Sequence, residues 1–139
     1  MEHQIRVLVV DDEDRFRENI TKILNGSGFE AQSASDGETA LNKVDSYEYD
    51  VVLLDMKMPG LSGEQTLCKM KDCGAQAEVI VLTGHASVSG ALDMMDLGAF
   101  DYLLKPADIP EMLKKVRLAG EKKLLREGRI GMSDIYSGN

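Results

Sequence analysis

The sequence predicts a doubly wound α/β fold, a five-stranded parallel sheet with helices on both faces. Three observations predict it. Five short apolar runs alternate with longer segments of helical period. Three of those runs are nearly unbroken Val/Ile/Leu, as strands covered on both faces require. The 139 residues, 43% hydrophobic and 29% charged, suit one ordinary globular domain with one core.

The first strand reads as Arg6–Val10, and Phe16, Ile20, Ile23 and Leu24 form the apolar stripe of the helix after it. Gly26-Ser27-Gly28 ends that helix. Glu30–Ala34 is a weaker strand, which suits a sheet edge. Asp36 can cap the second helix, whose apolar face is Ala40, Leu41 and Val44. Val51–Leu54 is the third strand, and Leu67 and Met70 mark the third helix. Val79–Leu82 is the fourth strand, followed by a helix with Val88, Leu92, Met95 and Leu97 as its expected inward side. Tyr102–Leu104 is the fifth strand. The last helix runs from Asp108 toward Glu127, with Pro110 in its first turn and Ile109, Leu113 and Val116 facing inward. Residues 1–127 are thus expected to form the domain, with 128–139 a tail or the start of a linker. Leu118, Leu124 and Leu125 would let the last helix continue into a linker or dimer coil.

Charge and cysteine content narrow the function classes. Residues 1–110 carry 20 acidic and 9 basic side chains, which argues against nucleic-acid binding by this domain. The basic stretch within residues 111–129 reads as a solvated helix face. No apolar run approaches a membrane span and no secretory signal is visible, so a cytoplasmic protein without membrane contact is expected. Cys68 and Cys73 lack any metal or CxxC framework and read as free thiols. The eight methionines read as core filling and an adaptable surface, and His3 as a solvated terminus.

In open α/β sheets, ligands sit at the carboxyl ends of the strands. Asp11 and Asp12 follow the first apolar run, Asp55 the third, Thr83 the fourth and Lys105 the fifth. A polar residue at one strand end can be no more than a turn, but turning asks for neither three carboxylates nor a lysine. Carboxylates gathered there repel, so their pKa values rise or a cation joins them. A hard divalent ion such as Mg²⁺ fits such a cluster. Lys105 offers a point charge for phosphate, Thr83 a hydroxyl donor, and Asp55 a carboxylate able to act as a nucleophile.

Val9-Val10-Asp11-Asp12-Glu13, Leu53-Leu54-Asp55-Met56-Lys57-Met58-Pro59-Gly60, Val81-Leu82-Thr83-Gly84-His85 and Leu104-Lys105-Pro106 together resemble the bacterial response-regulator receiver family, over residues 5 to about 120. The resemblance implies a flavodoxin-like strand order 2-1-3-4-5 and phosphoryl transfer from a sensor histidine kinase, a phosphotransfer protein or a small donor onto Asp55. It implies a Mg²⁺ site, with Mn²⁺ as a substitute, formed by Asp12, Asp55 and the Lys57 carbonyl directly and by Asp11 through water. Lys105 would pair with the phosphoryl group, or with Asp55 before transfer. Thr83 would bond a phosphoryl oxygen, and Tyr102 would be the aromatic that turns inward with it. The protein would thus catalyse its own phosphorylation and dephosphorylation without being a classical enzyme. A homodimer through the fourth helix, fifth strand and fifth helix, and a cis peptide before Pro106, are further implications. Lys57 and His85, two residues beyond Asp55 and Thr83, occupy positions that modulate phosphoryl hydrolysis in the family.

Other readings fit less well. A haloacid-dehalogenase-type phosphatase needs a second Asp where Lys57 stands. A flavin binder needs a phosphate-cradling loop where Asp11-Asp12-Glu13-Asp14 would repel phosphate. An interaction module independent of phosphorylation would be favoured by an incomplete set of Asp12, Asp55 and Lys105.

Overall fold

Five parallel strands form one sheet of order β2-β1-β3-β4-β5 in the computed structural model, which describes residues 4–84 and 88–128. The elements are β1 (Arg6–Val10), α1 (Asp14–Gly26), β2 (Glu30–Ala34), α2 (Gly37–Ser46) and β3 (Val51–Asp55). They continue as α3 (Gly63–Asp72), β4 (Glu78–Thr83), α4 (Val88–Asp96), β5 (Asp101–Leu104) and α5 (Ile109–Arg126). The strand order agrees with the expected one.

Alternation along the central strands builds two cores. Val7 and Val9 of β1, Val51 and Leu53 of β3, and Ile80 and Leu82 of β4 face α1 and α5 and meet Ile20, Leu24, Met112 and Val116. Leu8, Val10, Val52, Leu54, Val79 and Val81 face the other way and meet Ala40, Leu67, Met70 and Met94. Because both faces are covered, these strands contain almost no polar residue until they end.

The helix starts carry local signals. Asp36 accepts the Thr39 N–H at 2.7 Å, as expected of the cap of α2. Ser62 and Gln65 form a reciprocal capping box at the start of α3. Gly28, at φ +94°, supplies the left-handed turn by which the chain leaves α1 for β2.

Two expectations need correction. Among the described side chains of α4, Ala91 and Met94 are buried and Met95 is half-buried, while the Val88 side chain lies outside the described residues. Leu92 is 56% exposed, and Leu97, just past the helix, is exposed as well. Ala91 lets the helix lie close to β4, so shape decides the face where the larger leucines looked more apolar. The basic stretch is a solvated face at Lys114, Arg117, Lys122 and Arg126, which are exposed, but not at Lys123. Lys123 is fully buried, with Nζ 3.1 Å from Asp50 at the start of β3 and 2.7 Å from Glu127. Arg126 bonds Glu78 at the start of β4 at 2.6 Å, and Arg117 lies over the Phe29 ring. Leu124, read as part of a possible coil, is buried in the first core, whereas Leu118 is exposed. His3, His85 and residues 129–139 lie outside the described residues.

Candidate functional site

Strand register sets the site. Val10 pairs with Leu54, Asp55 with Leu82, and Thr83 with Leu104, so β1, β3, β4 and β5 end on one line. The first polar residue beyond or at each end therefore meets its neighbours. Carboxylate oxygens of Asp11, Asp12 and Asp55 all lie within 4.8 Å of one another. Asp11 and Asp55 are buried, and Asp12 is exposed. An open depression of about 300 Å³ lies over them, lined in part by Asp12, Asp55, Lys57, Thr83 and Lys105.

Burial pushes the Asp55 carboxyl up from 3.8 to about 6, and the Asp11 charge pushes the same way. Lys105 and a hydrogen bond from the Lys57 N–H pull it partly back. Lys105 Nζ donates to Asp11 Oδ2 at 2.7 Å and to Glu13 Oε1 at 3.1 Å, and lies 3.5 Å from Asp55 Oδ1. Burial works against its ammonium charge, but Asp11, Asp55 and Glu13 outweigh that and raise its pKa overall. The Phe16 ring lies 4.6 Å from Nζ, in the range of a cation–π contact. The Lys105–Pro106 peptide is cis, as expected.

The donor set suits a hard divalent cation. Three carboxylates converge, Lys105 lies against Asp11 and Asp55, and the Asp12 carboxylate opens to solvent. Thr83 is buried at the end of β4, and its hydroxyl donates to the Gly84 carbonyl at 3.2 Å. Of the seven predicted site residues, Tyr102 alone lies off this cluster. It is half-buried on β5 and packs against the second core, with Lys115 5.5 Å from its ring centre.

Sequence reasoning missed three contributors. Glu13 stood out only as the end of the first motif and part of an acidic run, with no role of its own, and Phe16 only as part of a core stripe. Gly63 was not singled out at all. Its N–H bonds the Met56 carbonyl at 2.9 Å, and a Cβ there would sit 2.5 Å from the Asp55 carbonyl oxygen and 2.7 Å from Met56 Cα. The obstructing atoms are backbone, so they cannot swing aside. Gly63→Ala is expected to cost about 2 kcal/mol and to displace the end of β3. Urea denaturation checks the first effect, and the chemical shifts of the Asp55 and Met56 amides check the second. Unchanged shifts would show that the loop absorbs the methyl group without moving the site.

The chain is similar to known proteins over most of its length. The family model described as "Response regulator receiver domain" matches residues 7–117. The regulatory protein AtoC of Escherichia coli is 36% identical over 135 residues, which cover 94% of this chain and 29% of AtoC. The transcriptional regulatory protein DltR of Streptococcus agalactiae is 33% identical over 132 residues, 94% of this chain and 59% of DltR. The chain thus spans less than two thirds of either relative. A response regulator receiver domain protein from Clostridium thermocellum superposes with a TM-score of 0.82 at 36% identity, covering 87% of this chain and 98% of that one. A parallel sheet of order 2-1-3-4-5, an acidic cluster at its carboxyl edge and a match over most of the length lead to one assignment: the chain belongs to the response regulator receiver domain family.

Proposed function

We propose that Asp55 accepts a phosphoryl group from a phosphohistidine of a sensor histidine kinase or phosphotransfer protein, or from a small donor such as acetyl phosphate. The observation that carries this reading is a buried strand-end carboxylate, raised to about 6, beneath an open depression and beside Lys105. A pKa of about 6 leaves Asp55 mostly ionised at neutral pH, and therefore nucleophilic. One Asp55 oxygen forms a bond to phosphorus as the donor's P–N bond breaks. The electron pair stays on the imidazole nitrogen, which takes a proton from solvent. Such a transfer needs mainly positioning and charge stabilisation. Lys105 supplies a positive charge beside the transferred oxygens, and Thr83 a hydroxyl.

Asp12, Asp55 and the Lys57 carbonyl would hold Mg²⁺, or Mn²⁺ in its place, with Asp11 acting through water. The ion when bound supplies positive charge that relieves the carboxylate cluster and offsets charge on the phosphoryl oxygens. Phosphorylation then biases Thr83 and Tyr102, on adjacent strands, and with them the surface of α4, β5 and α5. Leu92, Leu97, Leu104 and Leu118, exposed on or beside those elements, support self-association there. The acidic body speaks against nucleic-acid contact by this domain, and among the described residues no helix is long and apolar enough to cross a membrane. We place the protein in the cytoplasm, where a histidine kinase would present its phosphohistidine.

Intact mass after treatment with acetyl phosphate and Mg²⁺ tests the reading. The parent is expected to gain one phosphoryl group that is stable in acid and labile in base, and Asp55→Asn none. Equal labelling of Asp55→Asn would remove Asp55 as the acceptor.

A further inference from the structure

Lys105 is held by more than its role toward Asp55 requires. Its Nζ is within hydrogen-bond distance of Asp11 at 2.7 Å and Glu13 at 3.1 Å, but 3.5 Å from Asp55. The Phe16 ring, one helical turn beyond Glu13, lies against the same ammonium at 4.6 Å. We propose that Glu13 and Phe16 are positioning residues that park Lys105 over Asp11, so that Lys105 must release Glu13 before it can engage a phosphoryl group on Asp55. This rests on Asp55 being the acceptor.

Among the described residues, Lys105 is the one hydrogen-bond and ion-pair partner of the Glu13 carboxylate. Glu13 occupies the N-cap of α1, but its side chain makes no capping bond. Its backbone N–H donates to Asp11 Oδ1 at 2.8 Å, which fixes its Cα beside the site. Its side chain is 66% exposed and reaches back to Lys105. Phe16 is only half-buried, so part of its ring is available to the ammonium as well as to the first core. A dianionic phosphoryl group on Asp55 would compete with Glu13 for the same cation. Because the Glu13 carboxylate is exposed, the contact is weak, so it tunes the rate and does not act as an on–off gate.

The test follows labelling by acetyl phosphate with Mg²⁺, together with the affinity for beryllofluoride measured by calorimetry. Glu13→Gln is expected to lower the donor concentration for half-maximal rate about two- to fivefold and to tighten beryllofluoride binding by a similar factor. Phe16→Leu, which keeps an apolar side chain and removes the ring, is expected to act in the same direction. Asp14→Asn removes the same charge one residue further on, from an acid paired with Arg17 at 2.7 Å, and is expected to change neither quantity. In a Lys105→Met background, Glu13→Gln is expected to do nothing. The proposal is overturned if Glu13→Gln leaves both quantities unchanged or worsens them. It is also overturned if Asp14→Asn helps equally, or if the gain persists without Lys105, since either result is general repulsion of an anionic donor. Label on Asp55→Asn would instead strike the acceptor assignment, and this comparison separates the two failures.

Discussion

Asp55→Asn is expected to stabilise the metal-free protein by about 3 kcal/mol at pH 7, a rise in melting temperature of about 10 °C for a domain of this size. The reason is the crowding of Asp11, Asp12 and Asp55 against one lysine. A carboxyl that titrates at 3.8 when unfolded and at about 6 when folded holds its proton more tightly in the native state. Its ionisation therefore costs native stability. The cost is complete above about pH 6 and disappears as the pH falls toward 3.8. Asparagine keeps an oxygen for the Lys57 N–H while removing the charge. The advantage of Asp55→Asn is thus expected to shrink between pH 6 and pH 4, and to narrow when Mg²⁺ stabilises the parent. At ten times its dissociation constant the ion contributes about 1.4 kcal/mol. Thermal melts of both proteins in chelator at pH 7 and pH 4.5, and in Mg²⁺ at pH 7, decide the matter. A variant that melts at or below the parent in chelator at pH 7 would show that the cluster is not strained. Asp12→Ala is expected to raise the stability of the metal-free protein at pH 7 by less, because Asp12 is exposed, and to lose most of the Mg²⁺ effect.

Much of this architecture is legible in the sequence because its central strands obey one rule along their whole length. Val7 to Val10, Val51 to Leu54 and Val79 to Leu82 are apolar on both faces, and their boundaries appear where polarity begins. The ladder extends slightly further than the apolar runs, to Asp55, Glu78, Thr83 and Asp101, because backbone pairing does not depend on an apolar side chain. The same polarity change revealed Asp11, Asp12, Asp55, Thr83 and Lys105, since parallel strands in register deliver their ends to one edge. What sequence patterning could not reveal was long-range or steric. Leu92 and Ala91 both fit a helical stripe, and only the fit against β4 selects Ala91. Glu13 and Lys105 are 92 positions apart, and nothing near either one announces the contact. Gly63 matters because the start of α3 passes against the end of β3, a closeness visible only once the fold is assembled.

Lys123 is the residue at which reading charge as exposure fails most completely, and removing its ammonium is expected to be among the costliest single changes in the chain. Its partner Asp50 is 73 positions away and equally buried, at the edge of the sheet opposite the site. Asp50 also accepts from the Arg6 N–H at 2.8 Å and from its guanidinium at 3.2 and 3.1 Å. Burial alone would raise the Asp50 pKa, but bonds from Arg6 and Lys123 reverse this and hold it below 3.8. A carboxylate with a lowered pKa contributes stability that is present above 3.8 and is lost as the pH falls through its folded value. Lys123→Met keeps much of the aliphatic stem but leaves Asp50 one cation short. Breaking a buried pair from one side costs about 3–5 kcal/mol, and the remaining Arg6 contacts favour the lower figure. Acid unfolding is expected to begin at higher pH in the variant, because Asp50 without Lys123 protonates more readily. Lys122→Met is the control. That side chain is 57% exposed and lies 3.6 Å from Glu78, so its loss is expected to cost less than about 1 kcal/mol. Urea denaturation of the parent and both variants at pH 7 and pH 5 measures each effect. The folded fraction of Lys123→Met is still expected to take label at Asp55, since the two sites lie at opposite ends of β3. A Lys123→Met protein as stable as Lys122→Met would mean that the buried pair only offsets its own desolvation, and that the methionine stem and Arg6 suffice to hold this edge of the sheet.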